Sequence, residues 1–512
     1  AFDDLLDRLE SHGIAPTACL TALPPDIAAQ MNASTWTDLL KVDPSTWQPA
    51  LSYFISRYCT RLDRWQLGGD GIDDFARDEK MRQVYRLVYK QFAELMGSPD
   101  LAMPWPAWYD LGSDPPATVA LWLPSDVLPR QIPLYTQQIT DAPSTPDKTA
   151  AAPNLALTLQ LLDEKYGRML RINDLAERMV YALSAGAQRI DLPLPLKLTQ
   201  DGQRLSLQPQ ELLIIERTLI NVLGGAQYKG RVPIADGVEA FLFEKNDRGI
   251  IVLWSRSADT NDRALSINLG PQPMILDLWG NLTPLLPSRN DAVTLTVGPT
   301  PFFILDVDPI PAQLRASVAF DNPLLESSFT PHPRHLHFVN SSDTMITGSL
   351  RLVGPKGWVL TPCSFQFQLD PGQTFDQQVV IEFPYNSFAG AKTIDAEFAL
   401  DGTLNTNFRV PLAMSLGLSD VGVQSLAMRD GQDLLVQQLI ANYGDKPIDY
   451  YAYAVYPGQA RQERLVIDLK PGHSTIKLYR FKDVQFFAGA KVRDGVRQME
   501  GLRVLNEQIP ID

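Results

Sequence analysis

The first part of the chain alternates between apolar residues at helical spacing and short apolar runs. Phe2, Leu5 and Leu9 repeat every three or four residues, as on one face of a helix, and Gly13 ends this pattern. Residues 14–23 then read as a strand, closed by two prolines. This order of helix and strand repeats along residues 1–228.

Helices or long connections separate six strand-like segments in this region: residues 14–23, 62–67, 101–105, 117–123, 155–162 and 188–192. Such alternation predicts a parallel sheet, and six units favour a closed (β/α)8 TIM barrel over an open doubly wound sheet. A dinucleotide-binding fold is disfavoured because no GxGxxG motif follows a strand. Counted back from the last helix, the segments are strands 3–8. We therefore expect the first two strands to precede Ala1 or to come from another chain segment.

From about residue 230 the pattern changes to short alternating strands with a turn roughly every 8 to 12 residues, which is typical of β-sandwiches. The sequence predicts a multidomain protein in which a partial TIM barrel precedes three all-β, immunoglobulin-like sandwich domains. The predicted units are the barrel part at 1–228, a sandwich packed after it at 229–308, a proline-containing linker at 309–328, and further sandwiches at 329–414 and 415–512.

Composition limits the class of partner. The chain of 512 residues has a formal net charge of −14, which repels phosphate backbones, so we expect no nucleic-acid partner. No uninterrupted apolar run reaches the roughly 18 residues of a membrane-spanning helix, so we do not expect a transmembrane protein. Neutral ligands such as sugars experience no penalty from the negative charge.

Cysteine and histidine give no pattern of a cofactor site. The 3 cysteines contain no CxxC pair, which argues against a disulfide framework or a thiolate metal centre. His332, His335 and His337 are closely spaced, but they begin a predicted sandwich, and an exposed strand entry explains them better than a metal site. We therefore expect no cofactor and no metal.

Two segments of the first region carry a family resemblance. RWQLGGDG at 64–71 resembles the fourth-strand signature of clan A glycoside hydrolases, and LAERMVYALSAGAQRID at 175–191 resembles the last helix and strand of such barrels. VLWS at 252–255 and DLWGN at 277–281 are similar to the small sandwich that follows the barrel in many of these hydrolases. The resemblance spans about 300 residues, and it implies a sugar-cleaving or sugar-binding barrel.

The resemblance places Asp70 at the position of the glutamate that serves as acid/base catalyst in these hydrolases. Gly69, Asp70 and Gly71 stand where the family has Asn, Glu and Pro, so the carboxylate is one methylene shorter and the neighbouring amide is missing. Gln66, in the same segment, is expected to contact substrate. The alternative for Asp70 is a turn residue beside two glycines.

Glycoside hydrolysis also needs a second carboxylate, which should follow the strand at 155–162. Gln160 occupies the most suitable strand position and cannot act as a nucleophile. Asp163 and Glu164 come next, and either is a candidate catalytic residue; the alternative is a pair of solvated loop acids. Asp191, at the end of the last strand, is a candidate for binding a sugar hydroxyl or for capping the following segment.

Aromatic residues cluster near the predicted strand ends. Sugar rings have apolar faces that aromatic rings cover well, so we expect a stacking platform among Trp65, Trp105, Trp108 and Trp122. The alternative for each ring is a place in the barrel core.

The predicted sandwich at 329–414 resembles a second family. Residues 335–414 are similar to NPCBM-associated β-sandwiches through FVN at 338–340, GPKGW at 354–358 and LDPG at 369–372. Such modules usually accompany bacterial extracytoplasmic enzymes and surface proteins, so the resemblance implies a periplasmic, secreted or cell-surface location. Edge strands of the sandwiches are candidates for self-association.

Two functions remain open at this point. One is an extracytoplasmic glycoside hydrolase acting on a polysaccharide through Asp70 and either Asp163 or Glu164. The other is a catalytically inactive barrel that binds glycans or has a structural role at the cell surface. The altered residues at 69–71 and Gln160 favour the second function, and the order of modules favours the first.

Overall fold

The parallel sheet is the first feature of the chain. The computed structural model describes residues 2–111, 116–140, 153–201, 204–235, 237–256, 263–269, 272–285, 292–402, 406–487 and 489–511. Six strands pair in parallel and in chain order: β1 (Thr17–Cys19), β2 (Arg64–Gln66), β3 (Asp100–Pro106), β4 (Thr118–Leu123), β5 (Asn154–Leu159) and β6 (Arg189–Asp191). All of them lie inside or overlap the six predicted segments. In the described part of the chain, β1 and β6 are the edges of this sheet.

Helices connect the strands, and buried residues of most of these helices form one core with the apolar face of the sheet. They are α1 (Phe2–Ser11), α2 (Pro25–Met31), α3 (Trp36–Leu40), α4 (Pro44–Tyr58), α5 (Asp74–Arg77), α6 (Glu79–Met96), α7 (Ile132–Thr140), α8 (Arg168–Ser184) and α9 (Leu212–Leu223), with a 3₁₀ turn at Pro129–Gln131. Helix α6 shows why they form: the Asp78 side chain accepts a hydrogen bond from Lys80 N at its start, and Gly97 ends it. Its buried residues Met81, Tyr85, Val88 and Phe92 repeat at helical spacing and enter the core.

The two faces of the sheet differ in character, because alternate residues of a strand point to opposite sides. The helix-covered face carries large apolar residues, among them Leu101, Leu121 and Leu157. The other face carries small and polar residues in register, including Ala120 and Ala156. Parallel strands buried on both faces normally have large apolar residues on each, so this second face is unusual for a core.

Antiparallel sheets make up most of the remaining chain. A hairpin of β7 (Leu196–Asp201) and β8 (Arg204–Pro209) precedes α9. The next sheets contain β9 (Gln227–Arg231), β10 (Val238–Lys245), β11 (Arg248–Ser255), β12 (Arg263–Asn268), β13 (Met274–Leu276), β14 (Leu282–Pro284), β15 (Ala292–Val297) and β16 (Phe302–Val307). Their side chains form a separate core on one side, while Phe241 and Trp254 join the core of the parallel-sheet region.

The proline-containing segment predicted as a linker has regular structure instead. It forms α10 (Pro309–Ser317), β17 (Ala319–Phe320) and β18 (Leu324–Glu326), and β18 pairs with a strand of the following region. Asp308 accepts a hydrogen bond from Ile310 N, and the two prolines stand in the first turn, where a helix needs no N–H. The prolines therefore start a helix here.

The C-terminal part consists of long antiparallel strands. These are β19 (His332–Val339), β20 (Ile346–Val353), β21 (Val359–Thr361), β22 (Ser364–Leu369), β23 (Thr374–Glu382), β24 (Gly390–Leu400), β25 (Thr406–Gly417), β26 (Val421–Asp430), β27 (Asp433–Asn442), β28 (Ile448–Val455), β29 (Gln462–Leu469), β30 (Ser474–Phe481), β31 (Val492–Gln498) and β32 (Val504–Ile509). They surround cores that are distinct from the core of the parallel sheet.

A parallel, barrel-like sheet followed by antiparallel sheets is thus confirmed. The number and boundaries of the sandwich domains, and the two strands expected to complete a barrel, stay predictions. None of the helices that the structure describes has the length and apolarity to cross a membrane.

Candidate functional site

The small and polar face of the parallel sheet is concave. Thr158 Oγ1 on β5 lies 3.4 Å from Asp70 Oδ1, which follows β2, so the contact spans the sheet. Desolvation raises the pKa of the Cys19 thiol, the charges of Asp70 and Asp191 raise it further, and Arg189 lowers it. Cys19 is solvent-exposed and lies on β1, whereas Asp191 and Arg189 lie on β6. The two edges of the sheet therefore curl toward each other around this face.

Asp70 stands at the carboxyl end of β2 and is held from two sides. Its Oδ1 accepts a hydrogen bond from Gln66 Nε2 at 2.9 Å, in addition to the contact with Thr158. Gln66 is buried, and its amide also donates to Gly68 O. The two donors therefore fix the position of the Asp70 carboxylate.

The turn that carries Asp70 depends on glycine. Gly71 has φ +73°, and a Cβ added to it would lie 3.0 Å from the Trp122 ring. The backbone of the turn thus lies against the indole of Trp122, which is half-buried on the same face of β4. Trp108 meets Trp122 edge to face, with ring centroids 5.4 Å apart, and is 54% exposed. The structure therefore brings two of the four predicted aromatic residues beside Asp70.

Asp191 is the second carboxylate that faces this site. Its strand is in register with β5, with Asp191 paired to Thr158, so it lies beside the residue that contacts Asp70. Asp191 forms an ion pair with Arg189 at 3.0 Å, and it is 40% exposed at the side chain. We therefore group Cys19, Gln66, Asp70, Thr158 and Asp191 as the polar set of the concave face.

Sequence reasoning did not identify Cys19 or Thr158. Both lie at or next to the carboxyl end of a strand, in register with residues that were identified: Cys19 pairs with Gln66, and Thr158 pairs with Trp122. That position at the strand ends was the available signal, because loops and strand ends on this side form the pocket of a barrel.

Trp65 and Trp105 lie on the opposite, helix-covered side of the sheet. Both are fully buried. Trp65 Nε1 donates to Leu62 O, and its ring packs against Phe54 and Phe92. A buried ring in this position cannot stack on a ligand. We therefore exclude both residues from the site and assign them to the core, which was the alternative for each ring.

Asp163 and Glu164 lie in the exposed loop after β5. Asp163 forms an ion pair with Lys165 at 3.1 Å, and Glu164 accepts a hydrogen bond from Gln210 at 3.0 Å. Gln160 accepts a bond from Ser125 N at 3.3 Å, which links the loops after β4 and β5. A catalytic role for either acid remains a prediction.

The three closely spaced histidines do not converge. His332 is buried and stacks on Phe383, whereas His335 pairs with Asp376 through Nδ1 at 2.7 Å. Within the residues described, no group of three or more His, Cys, Asp or Glu side chains is arranged to hold a metal ion.

Comparison with known proteins gives only partial matches. No family model and no curated protein matches the sequence. Among solved structures, a family 39 glycoside hydrolase from the gut symbiont Bacteroides cellulosilyticus WH2 aligns at 11% identity over 60% of this chain and 70% of that chain, with a TM-score of 0.46. An α-amylase from H. orenii aligns at 10% identity over 52% of this chain and 65% of that chain, with a TM-score of 0.31. The chain thus spans less than two thirds of the amylase.

Proposed function

We propose that this protein binds carbohydrate on the concave face of its parallel sheet. The observation that carries the proposal is the set of hydrogen-bonding side chains at the carboxyl ends of the strands, centred on Asp70 and the two donors that hold it. Ligands of parallel α/β sheets lie at this end of the strands. The resemblance of residues 64–71 to a glycoside-hydrolase signature supports the same ligand class.

The chemistry of the face fits a neutral polyol. The Asp70 and Asp191 carboxylates accept hydrogen bonds from hydroxyl groups, and the Thr158 hydroxyl can donate and accept. The exposed ring of Trp108 offers an apolar surface to one face of a sugar ring. The net charge of −14 disfavours anionic ligands without affecting neutral ones.

Hydrolysis is the second candidate function, and one observation favours it. Asp70 and Asp191 both act on the pKa of the Cys19 thiol, so two carboxylates approach the same point of the concave face. Glycosidases place such a pair about 5 to 9.5 Å apart, depending on mechanism. Asp70, which two donors hold in place, suits the nucleophile or base. Asp191 is then the second carboxylate of the pair, as an alternative to the loop acids Asp163 and Glu164.

One experiment addresses both functions. Binding of cello-, xylo-, malto- and chito-oligosaccharides is measured by calorimetry, and release of reducing ends is followed in the same samples. We expect Asp70→Asn to weaken binding roughly 10- to 100-fold, because a hydrogen bond to a charged group contributes about 1.5 to 3 kcal/mol. Asp63→Asn, at the exposed amino end of β2, is the matched control and should leave binding unchanged.

The outcomes separate the candidates. Binding without turnover supports the glycan-binding function, and turnover that Asp70→Asn and Asp191→Asn both abolish supports hydrolysis. Wild-type protein that binds none of these oligosaccharides, or that binds them equally after Asp70→Asn, contradicts the proposal. An extracytoplasmic location, a polysaccharide as the natural ligand and self-association through sandwich edge strands belong to the same proposal.

A further inference from the structure

A second cleft lies outside the concave face, where α8 meets the first antiparallel sheet. Its volume is about 670 Å³, within the range of roughly 300 to 1,000 Å³ that small-molecule sites occupy. The walls come from the segment after β4, the segment after β5, helix α8 and the end of β11. Two structural units thus contribute to one cavity.

The walls of this cleft are fixed by buried contacts. Arg178 of α8 is almost fully buried, pairs with Asp174 at 2.6 Å, and donates through Nη2 to Ser125 O at 2.8 Å. Asn173 Nδ2 donates to Pro299 O at 3.3 Å, which joins α8 to the antiparallel region. The cleft is therefore formed before any ligand enters, and binding carries no entropy cost for ordering its walls.

One acid in the cleft lacks a partner among the described residues. Glu177 is half-buried and makes no hydrogen bond or ion pair with any residue that the structure describes. Asn173 Oδ1 also lacks a hydrogen-bond partner in the same described set, but it is closed to solvent and therefore to a ligand. A hydroxyl group of a bound molecule would give the Glu177 carboxyl the partner that the described chain does not supply.

Charge and apolar surface narrow the class of ligand. Asp126 and Arg130 bring opposite charges to the wall, and Arg256 is already paired with Glu239 at 2.9 Å. Burial, with a smaller contribution from the charges of Asp174 and Glu239 and against the opposing effect of Arg178, raises the pKa of Glu177 to about 7. Glu177 is thus partly protonated at neutral pH, and the cleft has no strong net charge to attract an ion.

The rim of the cleft is apolar and open to solvent. Leu128 is 47% exposed, Tyr166 is 40% exposed and Leu170 is 54% exposed, and all three line the cavity. We propose that this cleft binds a neutral saccharide segment, with a hydroxyl group on Glu177 and one apolar face on Tyr166 and Leu170. It is a second saccharide site, and it takes its ligand class from the proposed function.

Calorimetry with cellopentaose, xylopentaose, maltopentaose and chitopentaose tests this second site. The titrations use the full chain carrying Asp70→Asn, in which the concave face is impaired. We expect residual binding at one site per chain, and a loss of 10-fold or more when Glu177→Ala or Leu170→Arg is added. Leu170 is an exposed rim residue, so its replacement blocks the cleft without disturbing the core. Glu216→Ala, which removes a partly buried acid on α9 outside the cleft, is the control.

The results distinguish the two sites. If Asp70→Asn alone removes all binding, or if neither Glu177→Ala nor Leu170→Arg affects it, the cleft proposal is overturned while the proposed function stands. If Asp70→Asn has no effect and Leu170→Arg abolishes binding, the cleft stands and the concave-face proposal is wrong. Wild-type protein that binds none of the four oligosaccharides overturns both.

Discussion

Gly71 links the Asp70 turn to the aromatic wall of the concave face. Its φ of +73° is a conformation that side chains rarely adopt, and its backbone lies against the Trp122 ring. Because Asp70 precedes it directly, any shift of this turn moves the carboxylate away from Gln66 and Thr158. The position of the charge therefore depends on the absence of a single methyl group.

We predict that Gly71→Ala destabilises the protein by about 1 to 3 kcal/mol, from the left-handed conformation and the contact with Trp122. Urea unfolding measures the stability, and calorimetry measures saccharide binding. Gly372→Ala is a matched control, because Gly372 has φ +75° and nothing within 4 Å of an added Cβ. Equal losses in the two variants would show that the Trp122 contact contributes nothing.

At the scale of single residues, the sequence indicated three polar residues that the structure brings together on the concave face. Asp70 and Gln66 followed from the motif at 64–71, and Asp191 from its place at a strand end. The sequence does not show which of the four tryptophans face the site and which lie in the core. In a strand buried on both faces, the pattern does not reveal to which side alternate residues point. Trp105 and Trp122 both looked equally suitable, and only the register of the sheet separates them.

At the scale of elements, helix α8 connects the parallel sheet to the cleft. The guanidinium of Arg178 lies between Asp174 of its own helix and two carbonyl groups of the segment after β4, Pro124 O and Ser125 O. A buried charge of this kind is stable only while every partner is present. Arg178 therefore holds the loop after β4, together with the hydrogen bond from Ser125 N to Gln160.

We predict that Arg178→Met lowers the free energy of unfolding by about 3 to 5 kcal/mol, because it leaves Asp174 buried without its partner. Urea unfolding followed by circular dichroism measures the change. The double variant Asp174→Leu with Arg178→Met should recover part of the loss, since it removes both charges together. A single variant that costs less than about 1 kcal/mol would contradict a fixing role for the pair.

Element positions were predicted where a repeated pattern existed. The six parallel strands follow from apolar runs separated by helical spacing. The sequence does not predict helix α10, because Pro309 and Pro311 are typical of a linker, although prolines in a first helical turn lose no hydrogen bond. The hairpin of β7 and β8 was missed because it lies between a barrel strand and a helix, where the barrel pattern calls for a short connection.

At the scale of the whole molecule, contacts between regions were beyond the sequence. Ser327 donates to Val504 O, and Arg503 binds both Glu326 and Asp420. These residues are far apart in the chain, and their pairing depends on how complete sheets face each other. The composition and periodicity of the sequence predict individual strands and sheets, but they do not show which residues of different sheets come into contact.

The pH dependence of stability combines groups from distant regions. Burial raises the pKa of Glu177 and of Glu507 to about 7, from 4.5. Both groups hold a proton in the folded state that the unfolded chain releases, so their burial costs nothing below about pH 4.5. The free-energy cost of burying these two groups grows as the pH rises from about 4.5 to 7, and it reaches its full value above pH 7. Hydrogen bonds from Arg168 and Trp279 lower the pKa of Glu211 to about 2, so its contribution is lost as the pH falls from about 4.5 to 2.

We therefore predict that stability is greatest near pH 5 and falls as the pH rises to 8. Each pKa unit corresponds to about 1.4 kcal/mol, reduced where solvent screens the group. Urea midpoints measured across this range should decline less steeply for Glu177→Gln and for Glu507→Gln, and least for the double variant. Glu164→Gln, in the exposed loop after β5, should follow the wild type. Glu177 lines the cleft and Glu507 does not. If an added saccharide reduces only the part of the pH dependence that Glu177→Gln removes, the saccharide is bound in the cleft.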